Sequence, residues 1–130
     1  MTLANLPPDL LTNRTAVLAT NGHDGHPQLT AVWYIVEDDR ICISITESTR
    51  KAKNLADDGR CSVLIFHPET PNYYAEIRGF ARIEPDHDYV FADRLGQRYD
   101  ADMRSFDSAN VRRLRVAIEP LKVVVTDVRA

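Results

Sequence analysis

Apolar and polar positions alternate with a period of two along most of this chain. Residues 15–20, Thr-Ala-Val-Leu-Ala-Thr, form a compact β-prone run. Residues 28–37 predict a strand with Gln28, Thr30, Val32 and Tyr34 on one face and Leu29, Ala31, Trp33 and Ile35 on the other. Asp38-Asp39 turns the chain into a strand at 40–46, so these three runs predict a meander. Residues 60–66 are almost continuously apolar, and residues 73–83 form a further strand. Gly79 lies near the middle of that strand, where glycine marks a bulge, a bend or a close backbone approach. Residues 114–128 close the chain, with an interruption at Glu119-Pro120 that favours an edge or a bulge.

The period changes in three places. Pro7 and Pro8 suit the start of a short helix at residues 9–13. Residues 48–57 predict a second helix, capped by Ser48 or Thr49 and closed by Gly59. Residues 86–99 predict a third, with Val90, Phe91, Leu95 and Tyr99 as its apolar stripe. The turn at residues 21–27 is dense in Asn, Asp, Gly and Pro. Residues 100–111 are polar and without period, which predicts a mobile excursion. Six strands with short helices between them predict a mainly β fold, a six-stranded antiparallel barrel.

At 130 residues the chain is expected to form one domain, residues 1–130. A domain of that size buries about two-thirds of its unfolded surface and folds without disulfides or metals. The net charge of −3 argues against a nucleic-acid partner, so any anion site must come from local clustering. Cys42 and Cys61 stand inside apolar runs, outside any metal-ligand spacing, and read as buried reduced thiols. The N-terminal residues 1–8 have neither the basic nor the apolar region of a signal peptide. No apolar run approaches the roughly 20 residues that span a bilayer. The expectation is a cytoplasmic protein with no membrane span.

One local cluster stands out. Arg50, Lys51 and Lys53 lie at the start of the second helix, behind Ser48 and Thr49. Cations there oppose the helix dipole, at about 0.3–1 kcal/mol each. Free helix N–H groups, hydroxyls and cations together are what a phosphate needs. A solvated basic helix face is the alternative. Gln28 and Thr30 offer hydrogen bonds to a heterocycle edge, and Trp33 offers either a stacking face or core packing. Glu76 and Arg78 share a strand face, as a solvated ion pair or as an anion contact at a subunit interface. The histidines are scattered in turns, with no metal-binding motif and no nucleophile–base–orienter set. The catalytic residues stay unassigned.

The order of these runs resembles the pyridoxamine 5′-phosphate oxidase-like split-barrel superfamily, in its small deazaflavin-dependent branch. The resemblance spans Thr15 to Val128. It rests on residues 15–20, on Gly25-His-Pro-Gln28-Leu-Thr-Ala-Val-Trp33, on Ser48-Thr-Arg-Lys-Ala-Lys-Asn-Leu55, on Arg60-Cys-Ser-Val-Leu, on Tyr74-Ala-Glu-Ile-Arg-Gly79 and on residues 114–123. It implies a split barrel that forms a homodimer with cofactor sites at the interface. It implies that Arg50, Lys51 and Lys53 hold the cofactor phosphate, with Ser48 assisting. It implies that Gln28 and the strand segments Thr30–Trp33 (Thr30, Val32 and Trp33 among them) and Ser44–Thr46 line the ring and linker. Arg78 would come from the partner subunit. The short chain and the basic turn look like users of coenzyme F-420, an 8-hydroxy-5-deazaflavin, with FMN as the alternative. The implied function is an oxidoreductase passing hydride to an electron-poor small molecule. An FMN oxidoreductase or a non-catalytic carrier of the cofactor is the alternative. Tyr73 and Tyr74 are candidate proton donors. Residues 67–72 and 100–111 are candidate substrate loops.

Overall fold

This structure, a computed structural model, describes residues 2–129; Met1 and Ala130 of the expected unit lie outside them. Seven strands make one sheet: β1 Thr15–Asn21, β2 Pro27–Trp33, β3 Ile35–Glu37, β4 Arg40–Thr46, β5 Arg60–Phe66, β6 Tyr73–Pro85 and β7 Arg113–Asp127. The order across the sheet is β2-β1-β5-β6-β7-β4-β3, with every pairing antiparallel. The mainly β antiparallel fold is as expected, with seven strands rather than six.

The seventh strand arises because the run 28–37 breaks at Tyr34. β2 stays beside β1, while β3 pairs with β4 at the other end of the sheet, so no three-stranded meander forms. Tertiary hydrogen bonds force the break. The Tyr34 N–H donates to the Tyr99 hydroxyl at 3.0 Å, and Arg98 Nη1 donates to the Tyr34 carbonyl at 2.9 Å. The Tyr34 hydroxyl donates to the Asn13 carbonyl, and its ring is fully buried. One residue therefore joins the two outer strands, and the sheet curls into a split barrel.

The barrel interior is filled by the inward positions of the alternation, including Leu18, Ile43, Val63, Ile65, Ile77 and Ile118. A smaller core lies outside the barrel wall, where Cys42 and Ala117 meet Phe91, Ala92 and Leu95 of helix α2, Val90–Arg98. The helix expected at 86–99 is thus shorter. Asp86 caps it through the Phe91 and Ala92 N–H groups, both at 2.9 Å, and Val90 is exposed rather than part of the buried stripe. Helix α1, Arg50–Asp57, is capped by Thr49 and ends at Asp58. Gly59 does not close it; a Cβ there would meet the Phe80 ring at 2.8 Å. The helix expected at 9–13 is a 3-10 turn, Leu10–Thr12.

Gly79 and Pro120 explain each other. The β6–β7 register shifts between Arg78 and Gly79, where Gly79 faces Pro120, and β4 pairs with β7 only as far as Ile118. Pro120 thus sits where its missing N–H is not needed by a neighbouring strand. A Cβ on Gly79 would lie 2.6 Å from Ile118 Cγ2 and 2.7 Å from the Glu119 carbonyl oxygen.

Residues 100–111 are anchored, contrary to expectation. Met103 is buried in the outer core, in a 3-10 turn Met103–Phe106. Asp107 accepts from Arg113 Nε at 2.7 Å and Nη2 at 2.8 Å, with both side chains over nine-tenths buried. The Tyr89 hydroxyl donates to the same carboxylate.

Candidate functional site

Thr49 organises the start of α1. Its hydroxyl donates to the Thr46 carbonyl at 2.8 Å and accepts from the Ala52 N–H at 3.4 Å. The first intrahelical bond runs from Lys53 N–H to the Thr49 carbonyl, so the Arg50 and Lys51 amides precede it. The first turn holds no acidic residue. Arg50 and Lys53, three apart, share the outer face and are exposed. Lys51 shares the inner face with Asn54 and Leu55 and is half-buried. Burial, and then the Arg113 guanidinium, hold its ammonium below the usual lysine range.

Lys51 faces a cleft of about 250 Å³ between β2, β4 and α2. Ala31, Val32 and Trp33 form one wall, Leu95 and Met103 the floor side, Ser44 and Lys51 the polar end, and Phe106 the rim. Trp33 is stacked on Tyr99, with ring centroids 4.4 Å apart and planes 6° apart. Phe106 meets the edge of Trp33 at 6.4 Å. Arg113 Nη1 donates to the Ser44 hydroxyl at 3.4 Å.

Four expected site residues therefore line one cleft: Val32, Trp33, Ser44 and Lys51. Arg50, Lys53 and Ser48 lie at the exposed helix start beside it. The Thr46 carbonyl receives Thr49, and Thr46 pairs with Arg113 across the sheet. Gln28 and Thr30 are not in the cleft. Gln28 Oε1 accepts from Thr20 Oγ1 and from Asn54 Nδ2, each at 3.4 Å. Asn54 also donates to Thr20 at 3.1 Å, tying α1 to the barrel. Thr30 Oγ1 is buried without a hydrogen-bond partner in the described structure. Arg78 lies on the outward sheet face, donating to Glu76 at 3.2 Å, in a separate hollow with Arg60 and Leu121.

Tyr73 is not placed to donate a proton here. It sits at the far end of β6 from the rung of Ser44, Arg115 and Glu84, and its hydroxyl donates to Asp9. His67 stacks on Tyr73, so the 67–72 loop lies at that far end as well. The sequence reading missed Arg113, Asn54 and Phe106. Asn54 had a signal, a lone polar residue on the buried face of a short helix. Arg113 had none, since its burial depends on Asp107.

Four other hollows are larger than this cleft, two of them, of about 590 and 490 Å³, lying near residues 84–94 and 85–89. Within them Glu37 binds Arg94 and Arg115, and Arg113 binds Asp107. In the smaller cleft Lys51 has no ion-pair partner among the described residues and lies near Arg113, which is itself paired with Asp107. Among the described residues no cluster of metal-ligating side chains exists, and no helix is long and apolar enough to cross a membrane.

Comparison with known proteins gives the lineage. A protein described as an F-420 reductase is 24% identical, with a TM-score of 0.82 over 94% of this chain and 98% of that one. A conserved hypothetical protein from Mycobacterium tuberculosis is 26% identical, with a TM-score of 0.68 over 98% and 85%. HutZ, a heme storage protein from Vibrio cholerae, is 18% identical, with a TM-score of 0.72 over 97% and 96%. The spread of their names means that these likenesses speak for the fold. Residues 8–126 match the family model of pyridoxamine 5′-phosphate oxidase, and with the split barrel described above the chain belongs to that family.

Proposed function

We propose that this protein is an oxidoreductase that binds coenzyme F-420 and passes hydride to an electron-poor organic acceptor. The carrying observation is the junction of two features: an acid-free, Thr49-capped helix start bearing exposed Arg50 and Lys53, and an apolar cleft with Lys51 and Ser44 at its polar end. The first suits a phosphate and the second a flat ring with oxygen on its edge.

The deazaflavin supplies hydride chemistry when bound. The chain's own residues bind and orient. Arg50 and Lys53 hold the phosphate with Ser48, and Lys51 is turned inward to the ring edge. Trp33, Val32, Leu95 and Met103 exclude water from the ring face. Arg113 fixes the Ser44 hydroxyl as an acceptor, so the hydroxyl hydrogen is free to point into the cleft. This arrangement needs no side-chain nucleophile.

A second copy of the chain completes the site in this reading. Leu29, Ala19, Ser62, Arg78 and Lys122 form one outward row, and Ala31, Val17, Leu64, Glu76 and Val124 the next. Leu29 is 66% exposed and Val124 39%, apolar positions beside Arg78, Glu76 and Lys122 on a mixed face that a partner covers in this reading. Arg78 stands on that face and so reaches the partner's site. Light scattering tests this; a monomer at micromolar concentration overturns it.

The deciding experiment is a binding titration with F-420 and FMN side by side, on the wild type and on Arg50→Ala with Lys53→Ala. F-420 binds more tightly, and the double variant loses about 2–4 kcal/mol, since charge-assisted bonds contribute about 1.5–3 kcal/mol each. Unchanged affinity in the double variant sinks the phosphate assignment. Tighter FMN binding moves the protein to the flavin users. Binding without turnover of any acceptor makes it a carrier.

A further inference from the structure

The turn between β1 and β2 sets an asparagine directly before a glycine, and nothing in the function proposed above uses the pair. Of the six asparagines in the chain, five precede Leu, Arg, Leu, Tyr or Val, and only Asn21 precedes a glycine. The fold itself demands that glycine. A Cβ on Gly22 would lie 2.7 Å from the His26 carbonyl oxygen, which is backbone, and 2.9 Å from Asp24 Oδ1. A glycine also leaves its backbone nitrogen unshielded and its dihedrals free. The Gly22 nitrogen can therefore attack Cγ of Asn21. A C–N bond forms, ammonia leaves, and water opens the resulting cyclic imide at either carbonyl. The product is aspartate, or isoaspartate with the side-chain methylene taken into the backbone. One amide and one water are consumed, and one carboxylate and one ammonium are released.

In the closed fold both reacting groups are held. The Gly22 N–H donates to the His26 carbonyl at 3.1 Å. Asn21 Nδ2 donates to Asp58 Oδ2 at 3.1 Å and to the Arg60 carbonyl at 3.4 Å. Asn21 is also the last rung of β1 on β2, opposite Pro27. Ring closure needs Cγ and the Gly22 nitrogen to swing together, and the nitrogen must lose its proton. These bonds must therefore open first. All of them lie within one chain and involve neither a cofactor nor a second copy.

We infer that Asn21-Gly22 is a self-modification site, silent while Asp58 and the 21–27 turn hold it, and converted to a carboxylate when that turn opens. The conversion acts on its surroundings. Asp58 accepts from Arg60 N–H, Nε and Nη2 at 3.0, 3.0 and 2.8 Å, and its own N–H donates to the Asn54 carbonyl at the end of α1. A carboxylate at residue 21 takes a donor from Asp58 and sets a like charge beside it. In the isoaspartate product the added backbone carbon also breaks the rung to Pro27. The step does not reverse, so a chain that has opened here keeps a looser joint between β1 and α1.

The test follows the tryptic peptide of residues 15–40, which holds no other asparagine, by mass spectrometry. The full chain is kept at mildly alkaline pH, folded or unfolded in urea. The unfolded chain converts, and the folded chain converts about 10- to 100-fold more slowly, the range set by two ordinary hydrogen bonds. Asp58→Ala speeds conversion of the folded chain about 3- to 10-fold, one bond's worth, and leaves the unfolded rate unchanged. Asn21→Asp melts below Asn21→Ser, and added salt narrows the gap. Persistence of the amide in the unfolded chain overturns the site. A folded chain that converts as fast as the unfolded one overturns the guarding, and that comparison needs no variant. An Asp58→Ala chain with native circular dichroism and the wild-type rate removes Asp58 from it. Equal melting of Asn21→Asp and Asn21→Ser overturns the like-charge consequence.

Discussion

Replacing Asp107 by alanine is the sharpest test of the segment that carries Phe106. The carboxylate accepts two bonds from one guanidinium and one from the Tyr89 hydroxyl, and the Arg113 side chain is only 8% exposed. Without Asp107 that guanidinium is left buried and unmatched, beside half-buried Lys51. Removing one partner of a buried pair costs about 3–5 kcal/mol. Domain stabilities total about 5–15 kcal/mol, so the loss is a large fraction. At this chain length it corresponds to a fall in Tm of about 10–20 °C. Urea unfolding followed by far-ultraviolet circular dichroism measures it directly. The Asp107→Leu, Arg113→Met double variant should recover most of the loss, because no unmatched charge remains. The pH dependence has a definite sign. Arg113 holds the Asp107 carboxyl below the usual range, so the pair's contribution is present above the unfolded pKa, about 3.9, and is lost as pH falls through the folded value. The gap between wild type and Asp107→Ala therefore narrows below about pH 4. A variant within about 0.5 kcal/mol of wild type at neutral pH would refute the reasoning.

Two further expectations follow from packing and burial. Gly79→Ala places a methyl group against the Glu119 carbonyl, which is backbone and has little room to give, and should cost about 1–3 kcal/mol in thermal unfolding; an unchanged Tm means that the bulge relaxes. Burial pushes the Cys61 thiol up to about 12, above its unfolded value of about 8.5. Its contribution is thus full below that unfolded value and is lost as pH rises toward the folded one. Wild-type Tm should fall more steeply than that of Cys61→Ala between about pH 8 and 11, and parallel curves would disprove the assignment.

The strands and the cap of α1 were legible because they rest on local pattern. Period-two alternation located the six runs, and Ser48-Thr49 ahead of a basic helical run located the helix start. The break at Tyr34 was not legible. The run Ala31-Val-Trp-Tyr-Ile-Val-Glu37 contains no glycine or proline, and the hydrogen bonds that split it come from Arg98 and Tyr99, far along the chain. The same holds for residues 100–111, whose anchors are Arg113 and the outer core rather than any repeat of their own. Of the expected site, Val32, Trp33, Ser44 and Lys51 converge. Gln28 does not, because the buried Asn54 amide claims its carbonyl oxygen for the barrel interior.

The single-residue joint at Tyr34 also shapes how the barrel assembles. The two outermost strands of the sheet are consecutive in the chain, so their proximity is built into the unfolded polymer and costs almost no loop entropy. The pairing of β4 with β7 closes the longest stretch of chain of any strand pair, since it must bring Ile41 to Ile118. A circular permutant opened at Tyr34 would keep every strand but lose this tether, and with it the bonds of the Tyr34 backbone to Tyr99 and Arg98. It would fold with both edges of the sheet free to recruit other chains, and aggregation rather than unfolding would be its characteristic failure.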